Sequence, residues 1–345
     1  MTIRLTWARV ALSVLTLVVA GMLFAWSGVF NIAASSGHWP VTSWFLHWTM
    51  RNSVRTHTIL EAPEHPTAHD GLVSAAGLFA TSCAACHGAP GVRPSPVMQA
   101  ATPHAPNLSV NAREWSDAQL FWILKHGVKY TGMPAWAAQG RDDEVRRMAA
   151  FVRRLPTMSP AAYRSLTVVA GASDESVRRC AACHGNDGRG RGQGDIPVLA
   201  GQNPAYLLAS LRAYATGRRA SAVMRNAAAP LGTDEMARLA RHFAALPGLT
   251  RTVPAAQPEA AEASRIVREG LPRAQLPACA SCHAPGKPYP VLTGQRASYI
   301  AQRLRQFRGE EAVVDARKSQ ATMPVIARRI PENMIDPIAA LLAGR

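Results

Sequence analysis

All six cysteines of this 345-residue chain lie in three pentapeptides: Cys83-Ala84-Ala85-Cys86-His87, Cys180-Ala181-Ala182-Cys183-His184 and Cys279-Ala280-Ser281-Cys282-His283. They recur at intervals of 97 and 99 residues. Two thiols three positions apart stand on one side of a helical turn, with an imidazole immediately after them. A disulfide framework would not require His after every second Cys. A structural zinc site would set two Cys-x-x-Cys pairs close together, not a hundred residues apart. A thioredoxin-type redox pair expects a βαβ setting, and the flanking patterns here are helical.

The remaining chemistry is covalent haem. Cys83 with Cys86, Cys180 with Cys183, and Cys279 with Cys282 can each bond the two former vinyl groups of one porphyrin. His87, His184 and His283 then supply the proximal iron ligands. An iron used for electron transfer needs a second strong ligand, and Met is the partner that raises the potential. Met133 lies 46 residues after His87, in GVKYTGMPAW; Met224 lies 40 after His184, in ASAVMRNAAAP; Met323 lies 40 after His283, in SQATMPVIA. All three are expected in loops between helical patterns. Met148 and Met236 fall within the apolar periodicity of helices and read as core. Met98 lies on the near side of the Ala-Pro-Asn-Leu turn, and Met334 is a further competitor in the third segment.

A ligating imidazole usually donates its other N–H to a fixed acceptor. The motif PVLAGQ at 197–202 returns as PVLTGQ at 290–295, and the first segment has APNLS at 105–109. Proline pins the local backbone, so the carbonyls of Pro106, Pro197 and Pro290 are the candidate acceptors. The interval from His to Gln is 18 residues in the second segment and 12 in the third. The equal spacing from His to Met is therefore partly accidental, although GQNPAYLLASLRAYATGRR does align with GQRASYIAQRLRQFRGEEA, Tyr206 over Tyr299.

The elements that must hold these residues read as helices. DGLVSAAGLFATSCAACH carries apolar residues at helical spacing. RDDEVRRMAAFVRRL begins acidic and ends basic, as the helix dipole favours. TDEMARLARHFAAL follows the same logic with Thr233 as its expected N-cap, and PENMIDPIAALLAG closes the chain. Alternating runs long enough for a sheet are missing, so the expected class is all-α. The spacing predicts three soluble units, 70–157, 158–252 and 253–345, with linkers near 157–173 and 249–259. Aromatic residues are 6% of the chain, few for three cores unless a large apolar cofactor fills them.

Residues 10–30 form 21 positions without a charged side chain, long enough as a helix to cross a bilayer. Arg4 and Arg9 precede them and the next Arg is Arg51, which places the N-terminus inside and the rest outside. Residues 1–34 are thus read as an anchor, with a cleaved signal ending near Ala33-Ala34-Ser35 as the rival. Residues 35–69 form a juxtamembrane segment. There Trp39, Trp44 and Trp48, with His38 and His47, suit either an interfacial belt or a helix packed on the first soluble unit. The net charge of +16 is spread along the chain without basic runs or nucleic-acid motifs, so no nucleic-acid partner is expected.

On these motifs the chain resembles class I cytochrome c in three copies over residues 70–345. The second segment, CAACHGNDGRGRG through PVLAGQNPAYL, is similar to the cytochrome c4 and c553 type. The first, ending KHGVKYTGMPAW, is similar to cytochrome domains of membrane-bound dehydrogenase subunits. The third lacks the Gly that follows His in the other two. The resemblance implies an all-α fold per unit, three covalently bound haem c groups and single-electron transfer without catalysis. It implies a bacterial inner-membrane protein with its haem domains in the periplasm. Electrons would pass from a quinol-oxidising complex or dehydrogenase towards a terminal oxidase. The alternative role is the cytochrome subunit of an alcohol, aldehyde or gluconate dehydrogenase. A haem peroxidase or gas sensor would need one iron with an open face, and the second site, with Met224, is where that would fall.

Overall fold

The computed structural model describes residues 6–68, 70–171, 174–250, 252, 254–255, 258–284, 287–309 and 321–344. The fold is all-α: helices, turns and two isolated bridges, with no strand among the described residues. The expected linker at 249–259 and the end of the third repeat lie partly outside them.

Helix α1, Trp7–Trp26, is long and apolar enough to cross a membrane, and none of its residues is buried. Helix α2 follows at Pro40–Glu61, with Pro40 at its first turn, where a missing N–H costs nothing. Its two halves differ. Trp39, Trp44 and Trp48 are 70%, 64% and 54% exposed, whereas Val54 and Thr58 are buried. The second half docks on the first unit: Arg51 pairs with Glu114 at 2.9 Å and lies 5.1 Å over Trp115, and Trp122 Nε1 donates to Glu61 Oε2 at 3.1 Å. The packed-helix reading thus describes the second half, while the tryptophans of the first half stand exposed.

The first unit packs α3 (Leu72–Leu78), α4 (Asp117–His126) and α5 (Asp142–Arg154) around Phe79, Phe151 and Met148. Ser116 and Gln119 form a reciprocal capping box that starts α4. The acidic start and basic end of α5 match its dipole. The stretch expected as linker carries a further helix, α6 (Pro160–Thr167), started by Ser159. Its Tyr163 packs edge-on to Phe79 at 6.4 Å, so this core extends beyond the boundary expected at residue 157.

The second unit comprises α7 (Glu175–His184), α8 (Pro204–Ala215), α9 (Ala222–Ala228) and α10 (Thr233–Ala245). Asp174 caps α7 and Asn203 caps α8. Thr233 is not the cap of α10: Gly232 holds that position in extended backbone, and Thr233 is the first helical residue. The third unit packs α11 (Ala261–Arg268), α12 (Ala297–Arg308), α13 (Thr322–Arg329) and α14 (Ile335–Leu342) around Ile266, Ile335 and Leu341.

Candidate haem-binding sites

Each pentapeptide occupies a helix end. The first is reached through a π-helical turn, Phe79–Cys83, that continues α3 into the short helix Ala84–His87. The second forms the last turn of α7. The third is a single turn, Cys279–Cys282, with His283 just past it. The chain leaves the first two through Gly88 and Gly185 at φ 70° and 77°, whereas His283 itself makes the turn at φ −90°, ψ 33°.

The three imidazoles share one arrangement. Nδ1 of His87 lies 2.8 Å from the Pro106 carbonyl, Nδ1 of His184 3.3 Å from that of Pro197, and Nδ1 of His283 2.8 Å from that of Pro290. A carbonyl can only accept, so each Nδ1 carries the proton and each Nε2 keeps its lone pair for a metal. The acceptors lie 19, 13 and 7 residues after their histidines, yet each segment delivers the same group. Burial pushes His184 down to about 4 and lowers His87 and His283 as well, against the opposing pull of these hydrogen bonds. The rings are therefore neutral at neutral pH, the form that ligates.

Burial also pushes the thiols of Cys83, Cys180, Cys183 and Cys279 up to about 11. Sulfurs in such apolar surroundings suit thioether bonds to a porphyrin edge better than thiolate chemistry. No group of three or more His, Cys, Asp or Glu able to hold a metal ion occurs among the described residues.

The methionines are placed differently. Met133 is partly buried in a loop that folds back on the end of α4: Val128 N–H donates to the Met133 carbonyl at 3.1 Å and Trp136 N–H to the Lys125 carbonyl at 3.0 Å. Gly127, at φ 67°, permits that return, since a Cβ there would stand 2.6 Å from the Pro134 carbonyl carbon. Met224 and Met323 are not in loops. Each lies in the first turn of a short helix, α9 and α13, because Ser221 accepts from Met224 N–H and starts one, and Pro324 is accommodated near the start of the other. Met323 and Cys279 both pack against the third core. Met148 and Met236 are buried in cores as expected, Met98 is 42% exposed on the helix Pro96–Gln99, and Met334 packs against the third core.

Two features fit a bound haem without having been legible as motifs. The cluster of buried apolar residues at the centre of the second unit is small, Val177, Leu207, Leu239, Ala240 and Phe243, as suits a unit completed by a large apolar group. Between α8 and α12, Arg219 donates to Tyr206 Oη (3.2 Å), Ser210 Oγ (3.1 Å) and Tyr299 Oη (2.8 Å). Burial, reinforced by Arg219, holds Arg303 below the ordinary guanidinium value. Neither Arg pairs with a carboxylate among the described residues, and Arg219 Nε is buried without a partner. Two such cations suit an incoming carboxylate, as on a haem propionate. The aligned Tyr206 and Tyr299 were the sequence signal; their convergence on one Arg was not.

Residues 72–152 match the family described as Cytochrome C oxidase, cbb3-type, subunit III, and residues 174–242 match Cytochrome c. A thiosulfate dehydrogenase electron acceptor from Thiomonas intermedia is 31% identical over 182 residues, 50% of this chain and 82% of the relative. Cytochrome c4 from Thiocapsa roseopersicina is 33% identical over 176 residues, 48% of this chain and 86% of the relative. The chain belongs to the class I cytochrome c family. As a cytochrome c it is an electron carrier with covalently held haem c. Reduced recombinant cytochrome c4 from Pseudomonas stutzeri is 28% identical, spans 51% of this chain and 99% of its own, and superposes with a TM-score of 0.42.

Proposed function

We propose that the chain is a membrane-anchored tri-haem cytochrome that carries single electrons on the periplasmic side, from a dehydrogenase or quinol-oxidising donor towards a terminal oxidase. The observation that carries this reading is the threefold repetition of Cys pair, His and prolyl carbonyl acceptor. When bound, haem c supplies a one-electron iron couple at each site. Cys83 and Cys86, Cys180 and Cys183, and Cys279 and Cys282 hold the three groups. His87, His184 and His283 ligate through Nε2, their tautomers fixed by Pro106, Pro197 and Pro290. Met133, Met224 and Met323 close the opposite faces. Helix α1 anchors the chain, with the exposed tryptophans of α2 at the membrane surface.

The relative named as a thiosulfate dehydrogenase electron acceptor favours a dehydrogenase-class donor, and with it a second role as the cytochrome subunit of such an enzyme. The match of 72–152 to an oxidase subunit supports an oxidase-class acceptor for the first unit. Membranes containing the reduced full-length protein test the choice. Rapid cyanide-sensitive oxidation by oxygen is expected. Oxidation that requires added quinone and ignores cyanide would favour the dehydrogenase-subunit role. Release of the protein by high salt or carbonate would refute the anchor.

A further inference from the structure

The glutamine side chains that end the repeated PVLAGQ and PVLTGQ segments each reach across to the other segment. Gln295 accepts from Val198 N–H at 2.9 Å through Oε1 and donates to the Val198 carbonyl at 3.0 Å through Nε2. Gln202 does the same to Val291, accepting from its N–H at 2.7 Å and donating to its carbonyl at 3.0 Å. Both glutamines are buried, at 5% and 4% exposure. Val198 and Leu249 of the second unit pack with Val291 of the third in one apolar cluster beside them.

The position of these bonds matters. Val198 N–H belongs to the same peptide group as the Pro197 carbonyl, which accepts from His184. Val291 N–H belongs to the same peptide group as the Pro290 carbonyl, which accepts from His283. A peptide whose N–H is engaged has a more strongly polarised carbonyl and accepts a hydrogen bond better. Imidazole that donates to a stronger acceptor is a more basic ligand, and a more basic ligand favours the oxidised iron.

We infer that Gln202 and Gln295 are crossed positioning residues: Gln295 of the third unit sets the ligand strength of His184 in the second, and Gln202 of the second sets that of His283 in the third. This rests on the tri-haem reading above. It makes the two sites a coupled pair, since separation of the units would take the glutamine from both valine N–H groups and weaken both prolyl acceptors together.

The test is a spectroelectrochemical titration of the full-length holoprotein. Met224→His and Met323→His, each replacing a sulfur ligand by a nitrogen one, identify the waves of the second and third haems by displacing them downward. Gln295→Met keeps the side-chain length and removes both hydrogen bonds. It is expected to raise the potential of the wave that Met224→His identifies, and Gln202→Met that of the wave that Met323→His identifies. Gln295→Glu, which retains the acceptor for Val198 N–H, is expected to return the second wave towards the wild-type value. Should a Gln→Met variant fail to fold, Gln→Asn, too short to span both Val groups, makes the same test.

A shift confined to the variant's own unit would overturn the inference, as would unchanged waves in protein that retains three haems. Fewer than three covalent haems in the unmodified protein would refute the parent reading instead.

Discussion

The second unit meets its neighbours through two junctions of opposite chemistry. Towards the third unit the contact is neutral and reciprocal, two glutamines each bridging a valine across 97 and 89 residues of chain. Towards the first it is ionic and one-sided. Glu144, from α5, accepts from Ser221 Oγ at 2.6 Å and from Ala222 N–H at 2.7 Å, and so holds the start of the helix that carries Met224. Arg141 pairs with Glu144 at 3.0 Å and donates to the Ala220 carbonyl at 3.0 Å. Ser74 donates to Asp195 at 2.5 Å, and α3 lies against Cys183. Paired glutamines on aligned motifs are what a duplicated unit produces when it associates with its own copy. The other junction has no internal counterpart, as expected where a different type of unit has been joined on. The second unit is thus held from both sides: the start of the helix that carries Met224 by the first unit, the Val198 backbone by the third.

The largest effect that would break the contrast comes from Glu144→Ala. It leaves Ser221 Oγ and Ala222 N–H without their acceptor in buried surroundings, while Arg141 keeps its pair with Asp143, and an unsatisfied buried donor costs about 1–3 kcal/mol each. Denaturant unfolding should show that loss, together with disappearance of the Met–iron absorption of one haem. A cost below about 1 kcal/mol would mean that the ionic junction holds nothing in place. Next is Gly77→Ala on α3. Its new Cβ would stand 2.7 Å from Cys183 Sγ, and overpacking of this kind costs about 1–3 kcal/mol. Thermal unfolding should reveal it, with a change in the second haem although the substitution lies in the first unit; a purely local effect on the first haem would contradict the packing described.

Acid sharpens the contrast further. Burial alone would raise the Asp143 carboxyl, but the guanidiniums of Arg141 and Arg147 outweigh it and hold that carboxyl well below its ordinary 3.8. A carboxylate lowered in the folded state adds stability that is complete above the unfolded value and drains as pH falls through the folded one. As pH falls below the unfolded value of 3.8 the first unit and its junction should therefore lose stability. The glutamine junction contains no titrating group in its hydrogen bonds and should persist. Proteolysis that separates the third unit first in acid would reverse the expected order. The smallest effect belongs to Arg51→Ala, which removes a half-exposed pair with Glu114. Its cost should be under about 1 kcal/mol, with the buried Val54 and Thr58 keeping α2 docked. Release of α2 to protease would show that the surface pair carries more than its exposure implies.

Much of this was legible because it is local. Cys-x-x-Cys-His fits within one helical turn, the acidic start and basic end of α5 are adjacent in sequence, and a proline carbonyl after each His can be read by eye. What escaped is long-range. The repeat of Pro-Val-Leu-x-Gly-Gln was visible, but that each glutamine serves the other copy depends on how two units meet. The helix at Pro160–Thr167 looked like linker because its apolar contacts, led by Tyr163, belong to the preceding core. Met224 and Met323 were expected in loops because neither α9 nor α13 carries two turns of apolar periodicity; Ser221 and tertiary packing make those turns helical. The convergence of Tyr206 and Tyr299 on Arg219 follows from how the second and third units meet, which no spacing within either helix encodes.

The central claim is that three porphyrins are bonded to this chain, one per pentapeptide, and intact mass spectrometry of the denatured, acid–organic-extracted full-length protein tests it most directly. The account predicts a single species carrying the mass of three haems, reduced by one haem in a Cys83→Ala, Cys86→Ala double variant. Pigment lost to the solvent, or a mass increment below three haems in the unmodified chain, would contradict it.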